Sequence, residues 1–159
     1  MLLACINDDI SNYPMLVIKC IETLLRIKQK DIYVVFDTDE EVFNEYKNYM
    51  NFSGQPGVGD IFFKWLHDNR WSFPDTERVK LHKTKKGYVE FPDKMEQINI
   101  DPNDMKFFAL SYAHKITPVI LEASDSKWWL WRGVAMECGI KIIFMDEQYM
   151  RDKNNDTEL

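Results

Sequence analysis

Residues 117–145 read TPVILEASDSKWWLWRGVAMECGIKIIFM, and the fold predicted for the whole chain turns on this stretch. Thr117–Ala123 is an apolar run of strand length, with Pro118 at its start, where a missing N–H is tolerated. Ser124-Asp125-Ser126 then supplies capping side chains for a helix over Lys127–Cys138. Gly139 follows as the residue just past the helix, where a left-handed backbone favours glycine. Ile140–Met145 is a second apolar run. Strand, helix and strand joined by short connections make a βαβ unit, and such a unit implies a parallel sheet.

Working outward, Asp101-Pro102-Asn103-Asp104 reads as a helix start, with an acid at the cap and proline at the first position. The helix predicted from it runs through Phe107, Phe108, Leu110 and Tyr112 to about His114. Further upstream, Leu2–Ile6 is a short apolar run ending in Asn7-Asp8-Asp9, read as a buried strand and a turn. Ser11 or Asn12 can cap a helix over Met15–Lys28, whose Val17, Cys20, Ile21, Leu24 and Leu25 recur at helical spacing. Asp31–Phe36 has the continuous apolar character of a strand buried on both faces. Asp37-Thr38-Asp39 leads into a helix over Glu40–Met50. The loop Gly54–Gly59 opens a helix over Asp60–Asp68, with Asp60 as its cap. Arg78–His82 is a weaker strand signal, Lys83–Gly87 a basic solvated stretch, and a turn-rich region runs on to Asn99. These readings give one domain over residues 1–150 and a polar tail over 151–159.

The chain has 159 residues, enough to bury a core, with 45% hydrophobic and 29% charged residues and a net charge of -6. That charge argues against a broad, non-specific grip on nucleic acid. Cys5, Cys20 and Cys138 are an odd number without zinc-site spacing, and read as buried thiols in a reducing compartment. There is no signal-peptide pattern and no apolar run of membrane-spanning length, so a cytoplasmic location without membrane association is expected.

In open α/β sheets, sites form beyond the carboxyl ends of the strands. Predicted strands run into acids there: Asp8 and Asp9 after the first, Asp37 and Asp39 after the second, Asp125 after Thr117–Ala123. Asp104 opens the preceding helix, and Glu45 lies at the border of the apolar helix face formed by Val42, Tyr46 and Tyr49. Carboxylates gathered in one place repel one another unless something positive lies between them. A hard divalent cation is the usual answer, and it can activate water and neutralise charge on a phosphodiester. Each acid also has a plainer role. Asp104 and Asp125 suit helix caps, Glu45 a solvated surface, Asp8 and Asp9 a turn, and Asp37 and Asp39 a helix start. Trp128, Trp129 and Trp131 can stack on bases but more commonly pack a core and its rim. Lys83, Lys85 and Lys86 suit a solvated loop better than a phosphate contact. His67, His82 and His114 lack metal-site spacing, and the glycine-rich loop lacks the ending of a phosphate-binding loop.

The segment Asp104-Met105-Lys106-Phe107-Phe108-Ala109-Leu110, with Pro118–Trp129 and Gly139-Ile140-Lys141-Ile142, resembles the C-terminal half of PIN-like nuclease domains. Glu45-Tyr46 and Gly54–Asp60 resemble a bacterial branch of the same family. The resemblance implies an α/β fold with three layers, α/β/α, around a central, mostly parallel sheet. It implies an endoribonuclease that holds Mg2+ or Mn2+ through Asp8, Glu45, Asp104 and Asp125 and hydrolyses RNA, sometimes DNA. An inhibitory protein or a second copy of the chain would be further partners. In such domains the first acid ends strand one. Here that place reads Asn7-Asp8-Asp9, so Asp8, Asp9 or no acid at all can stand there, and Leu3–Asn7 can also correspond to the segment just after it. The alternative implied by that departure is a catalytically inactive PIN-like domain that binds a protein or nucleic acid.

Overall fold

The structure, a computed structural model, describes residues 13–50 and 57–155. The expected strand Leu2–Ile6, with Asp8 and Asp9, and the first part of the Gly54–Gly59 loop lie outside the described residues. Helices dominate. They are α1 (Pro14–Lys28), α2 (Glu41–Lys47), α3 (Val58–Asn69), α4 (Met105–Ala113), α5 (Lys127–Glu137) and α6 (Glu147–Asn155). The strands are short: β1 (Phe36–Asp37), β2 (Arg78–Val79), β3 (Lys83–Thr84), β4 (Gly87–Tyr88), β5 (Ile120–Glu122) and β6 (Ile142–Phe144).

The central, mostly parallel sheet and the three-layer arrangement expected from the sequence are not found among the described residues. Among the described residues the strands form three separate two-stranded sheets: β1 with β2 in parallel, β3 with β4 antiparallel, and β5 with β6 in parallel. The local βαβ reading of 117–145 is correct, since β5 and β6 pair in parallel with Ile120 opposite Ile142 and α5 between them. The extension of that unit into one sheet fails because Asp31–Phe36 contributes ladder pairing at Phe36 alone of its residues. Ile32 and Val34 pack their side chains into a helix-rich cluster instead, and Tyr33 is exposed. Ile32, Val34 and Phe36 line one apolar space together with Val119, Ile120 and Leu121, and no backbone ladder joins the two sides among the described residues.

Two apolar clusters hold the elements. In the first, Leu16, Cys20, Leu24 and Ile27 form the inner stripe of α1 and meet Phe62, Phe63 and Leu66 of α3, with Tyr149 and Met150 of α6. The buried stripe of α1 is thus rotated from the sequence reading: Leu16 and Ile27 belong to it and Leu25 is exposed. In the second cluster Phe108, Ala109 and Leu110 of α4 meet Trp128, Trp131 and Ala135 of α5, closed over by Phe91 and Met95. Trp128 and Trp131 are therefore core, as the plainer reading had it. Tyr46 and Phe144 touch both clusters.

Local chemistry sets the ends of the helices. Asp37 is buried, and its carboxylate accepts the Glu41 and Val42 N–H groups at 2.6 and 2.9 Å, so it caps α2 from four residues upstream. Asp60 reaches back to the Gly57 N–H at 2.8 Å and closes the start of α3. Gly139 has φ +79°, and the Gly139 and Ile140 N–H groups return to the Met136 and Ala135 carbonyls, a Schellman end to α5. In the β3–β4 hairpin Gly87 has φ +140°, and a Cβ there would lie 2.5 Å from Met105 Cε, which packs this basic hairpin against the start of α4. The expected tail from Arg151 is helical as far as Asn155, and the Asn154 amide donates to the Ser126 carbonyl at 3.1 Å. Among the described residues no helix is long and apolar enough to cross a membrane.

Candidate acid cluster and its lysines

Three of the four expected site residues are described, and they gather on one side of the molecule. Asp104 precedes the first residue of α4, Asp125 lies in the loop between β5 and α5, and Lys127, the first residue of α5, stands between them. The Lys127 ammonium is 2.9 Å from Asp104 Oδ2 and 3.3 Å from both Asp125 Oδ2 and Asp101 Oδ2. The helix at Asp104 starts later than the sequence suggests, because Asp101–Asp104 forms a turn: Asp101 Oδ1 accepts the Asn103 N–H, and the Asp101 carbonyl accepts the Asp104 N–H. Asp104 makes no side-chain cap. Its Oδ2 is sealed from solvent, and its close partner is the Lys127 ammonium at 2.9 Å. Asp125 does part of the expected capping, since its Oδ1 accepts the Lys127 N–H at 3.3 Å.

Glu45 sits one neighbour away. Its Oε2 is 2.9 Å from Lys106 Nζ, and both side chains are largely buried between α2 and α4. Tyr49 joins the two groups: its hydroxyl pKa is raised by partial burial and by the hydrogen-bonded Glu45 carboxylate, with the Asp104 charge adding to the shift and Lys127 opposing it. Glu45, Asp104 and Asp125 thus belong to one electrostatic neighbourhood, although Asp104 and Asp125 share an ammonium and Glu45 has its own.

The loop bearing Asp125 is held by Glu122, the last residue of β5. Glu122 is buried, and its Oε1 accepts three successive N–H groups, those of Ala123, Ser124 and Asp125, at 2.8, 3.1 and 3.1 Å. A carboxylate at the end of a strand, ahead of a helix start, is the sequence signal that would have marked it.

Protonation follows from these contacts. Burial pushes the Asp104 carboxyl above the ordinary aspartate range; Lys127 opposes this, and Asp125 and Asp101 add to it. Partial burial pulls the Lys127 ammonium down, but Asp104, Asp125 and Asp101 outweigh it and hold its pKa well above the usual lysine value. One ammonium serves three carboxylates, so the cluster keeps an excess of negative charge.

Among the described residues no set of three side chains stands ready-made for a metal ion. Lys127 holds the centre, and its 2.9 to 3.3 Å contacts are longer than the roughly 2.1 Å bonds of magnesium to oxygen. Magnesium, however, is commonly held by one or two carboxylates and several waters. Asp104 and the half-exposed Asp125 are two such carboxylates, both now occupied by the Lys127 ammonium. Of the histidines, His67 contacts Asp68, His82 contacts Glu90, and buried His114 bonds the Thr76 carbonyl. Lys83 pairs with Glu41 at 2.6 Å. Cys20 is buried and Cys138 half-buried, and neither forms a disulfide.

The Glu45–Lys106 pair is open to direct test. Lys106→Met leaves a mostly buried carboxylate without a counter-charge and is expected to cost about 3 kcal/mol in urea unfolding. Adding Glu45→Gln to that variant should recover most of the loss. A double variant no more stable than Lys106→Met would show that the two side chains do not depend on each other.

Comparison with models of known protein families, with curated proteins and with solved structures gave no match.

Proposed function

We propose that the chain is a metal-dependent endonuclease that hydrolyses phosphodiester bonds in RNA, with the chemistry of PIN-like domains. One observation supports this reading above the rest: the mostly buried Asp104 carboxylate, which caps no helix, meets Asp125 from another loop across one shared ammonium. Burying a carboxylate costs stability unless a positive charge meets it, and acids gathered from separate segments in this way mark a candidate functional site. In this reading Asp104 and Asp125 hold Mg2+ or Mn2+, with Asp8 as the further expected ligand. The ion when bound would supply an activated water and neutralise charge on the phosphate. Glu45, expected from the sequence as a fourth ligand, is paired with Lys106 at 2.9 Å and borders the cluster beside Tyr49. Glu122 fixes the loop that presents Asp125. The excess negative charge of the cluster draws in the cation and repels phosphate until the cation is present.

The second reading is a non-catalytic domain of the same kind that binds a protein or nucleic acid. The presence of Lys106 and Lys127 among the acids favours it, since these lysines can serve as permanent counter-ions. A single-stranded RNA with a fluorophore and quencher separates the two. Cleavage in magnesium or manganese that stops with EDTA is the expected result. No cleavage across substrates and metals would overturn the nuclease reading in favour of the second.

A further inference from the structure

We propose that the β3–β4 hairpin grips the backbone of a single RNA strand, with Lys85 and Lys86 at its tip and Lys47 of α2 as the phosphate contacts. This inference rests on the RNA reading above, not on how a metal is held, and it concerns where the substrate binds. The acid cluster has an excess of negative charge and repels phosphates, and the chain's net charge of -6 supplies no general attraction for them. Attraction must come from a local concentration of positive charge. Residues 80–86 hold four lysines and no acid: Lys80, Lys83, Lys85 and Lys86. Lys80 is engaged by Asp39 and Lys83 by Glu41, at 2.6 Å each. Lys85, Lys86 and Lys47 are exposed and meet no carboxylate among the described residues.

Lys85 and Lys86 form the whole connection of the hairpin, since Thr84 stands opposite Gly87. Two-residue connections favour Asn-Gly and similar pairs, so turn chemistry does not explain two adjacent lysines there. Protection of a sheet edge explains lysines on a strand, not at a tip. The hairpin is also fixed beside the site. Gly87 packs on Met105, the residue after Asp104, and the Tyr88 hydroxyl bonds the Glu41 carboxylate. From Glu41 an open polar groove of about 460 Å3 runs along α2, lined by Glu41, Asn44, Glu45, Lys47, Asn48 and Lys106. The groove joins the hairpin's partner, Glu41, to the Glu45–Lys106 pair at the border of the acid cluster. A strand held at the tip and along this groove reaches the acids with part of its charge already neutralised.

Fluorescence anisotropy of a labelled single-stranded oligouridylate, titrated with the full chain in EDTA at several salt concentrations, tests this. Each phosphate contact to a single strand adds about 0.7 to the slope of log affinity against log salt. K85A/K86A should therefore have a slope shallower by about 1.4 and bind about 25-fold more weakly near ~0.1 M salt. K47A should bind about fivefold more weakly under the same conditions. K85R/K86R, which keeps both charges, should bind as the wild type does. K64A/K94A takes the same number of charges from the exposed Lys64–Asp68 and Lys94–Glu137 pairs and should bind almost as well as the wild type. Affinity in K85A/K86A equal to that of the wild type, or matched by K64A/K94A, would overturn the hairpin contact and leave the nuclease reading standing. So would a wild type that cleaves RNA in magnesium or manganese without measurable binding in this assay. A wild type that neither binds nor cleaves RNA would overturn the nuclease reading and this inference with it. Binding of labelled polyglutamate that depends on Lys85 and Lys86, with no binding of RNA, would assign the tip to an acidic protein and overturn the proposal.

Discussion

Asp104→Asn is expected to lower metal-dependent cleavage by roughly 100-fold or more, since loss of a ligand should cost at least as much as loss of its outer supports, while the metal-free chain stays folded. Asparagine keeps the shape of the side chain and removes its charge. The turn around it is held by Asp101 and by backbone bonds, not by the Asp104 carboxylate. The metal-free variant should be no less stable than the wild type near neutral pH, for a reason that can be worked through. The folded chain raises the Asp104 pKa above its ordinary 3.8. Between that value and the raised one the folded state holds the proton more strongly than the unfolded state, so this group's contribution to stability falls as pH rises through the window. Above it the ionised Asp104 is a net cost, which asparagine removes. Cation binding has the opposite sign, because the metal needs the ionised form: affinity should weaken as pH drops through the raised Asp104 range, at higher pH than an ordinary aspartate would give. Asp125→Asn should impair cleavage similarly. Full activity in both variants would remove these residues from the chemistry.

Phe108→Ala is expected to produce the largest loss of stability, about 3–5 kcal/mol in urea unfolding. Phe108 is fully buried and stacks on Trp128 with ring centroids 4.7 Å apart, while Phe91 and Trp131 meet it edge-on. Truncation leaves a ring-sized gap at the seam between α4 and α5. A loss of that size is a large part of the ~5–15 kcal/mol that holds a typical domain together. The seam also sets the site, because α4 carries Lys106 and follows Asp104, and α5 begins at Lys127. Phe108→Ala should therefore weaken manganese binding at temperatures where it is still folded, whereas Phe108→Leu, nearer in volume, should cost about 1 kcal/mol. A loss below about 1 kcal/mol for Phe108→Ala would show that the ring does not carry the packing described.

The C-terminal half was the legible part of the sequence. Cap, helix, glycine stop and flanking apolar runs all lie within residues 117–145, and short-range signals of this kind report backbone conformation directly. The same signals say little about how distant segments pair. Asp31–Phe36 has the composition of a buried strand, yet its apolar side chains are satisfied by packing against helices, and burial alone does not require a ladder. The helix start at Asp101 was misplaced by a few residues because an aspartate-led turn and a helix cap use the same residue types. For the site, the acids were legible and their partners were not. Lys106 and Lys127 look like ordinary helix residues in the sequence. What makes them part of the cluster is the meeting of α2, α4 and α5, which depends on Phe108 and Trp128 far more than on any motif. Glu122 was marked in the sequence only by its place at the end of an apolar run ahead of a helix start, and its three amide contacts exist only once the chain turns after β5.

A crystal structure grown with manganese, with anomalous scattering recorded at its absorption edge, bears most directly on whether the acids share a divalent ion. The expected result is one anomalous peak bonded to carboxylate oxygens of Asp104 and Asp125, with the Lys127 ammonium turned out of the cluster. Saturating manganese with no peak there, and Lys127 still lodged between the carboxylates, would contradict it.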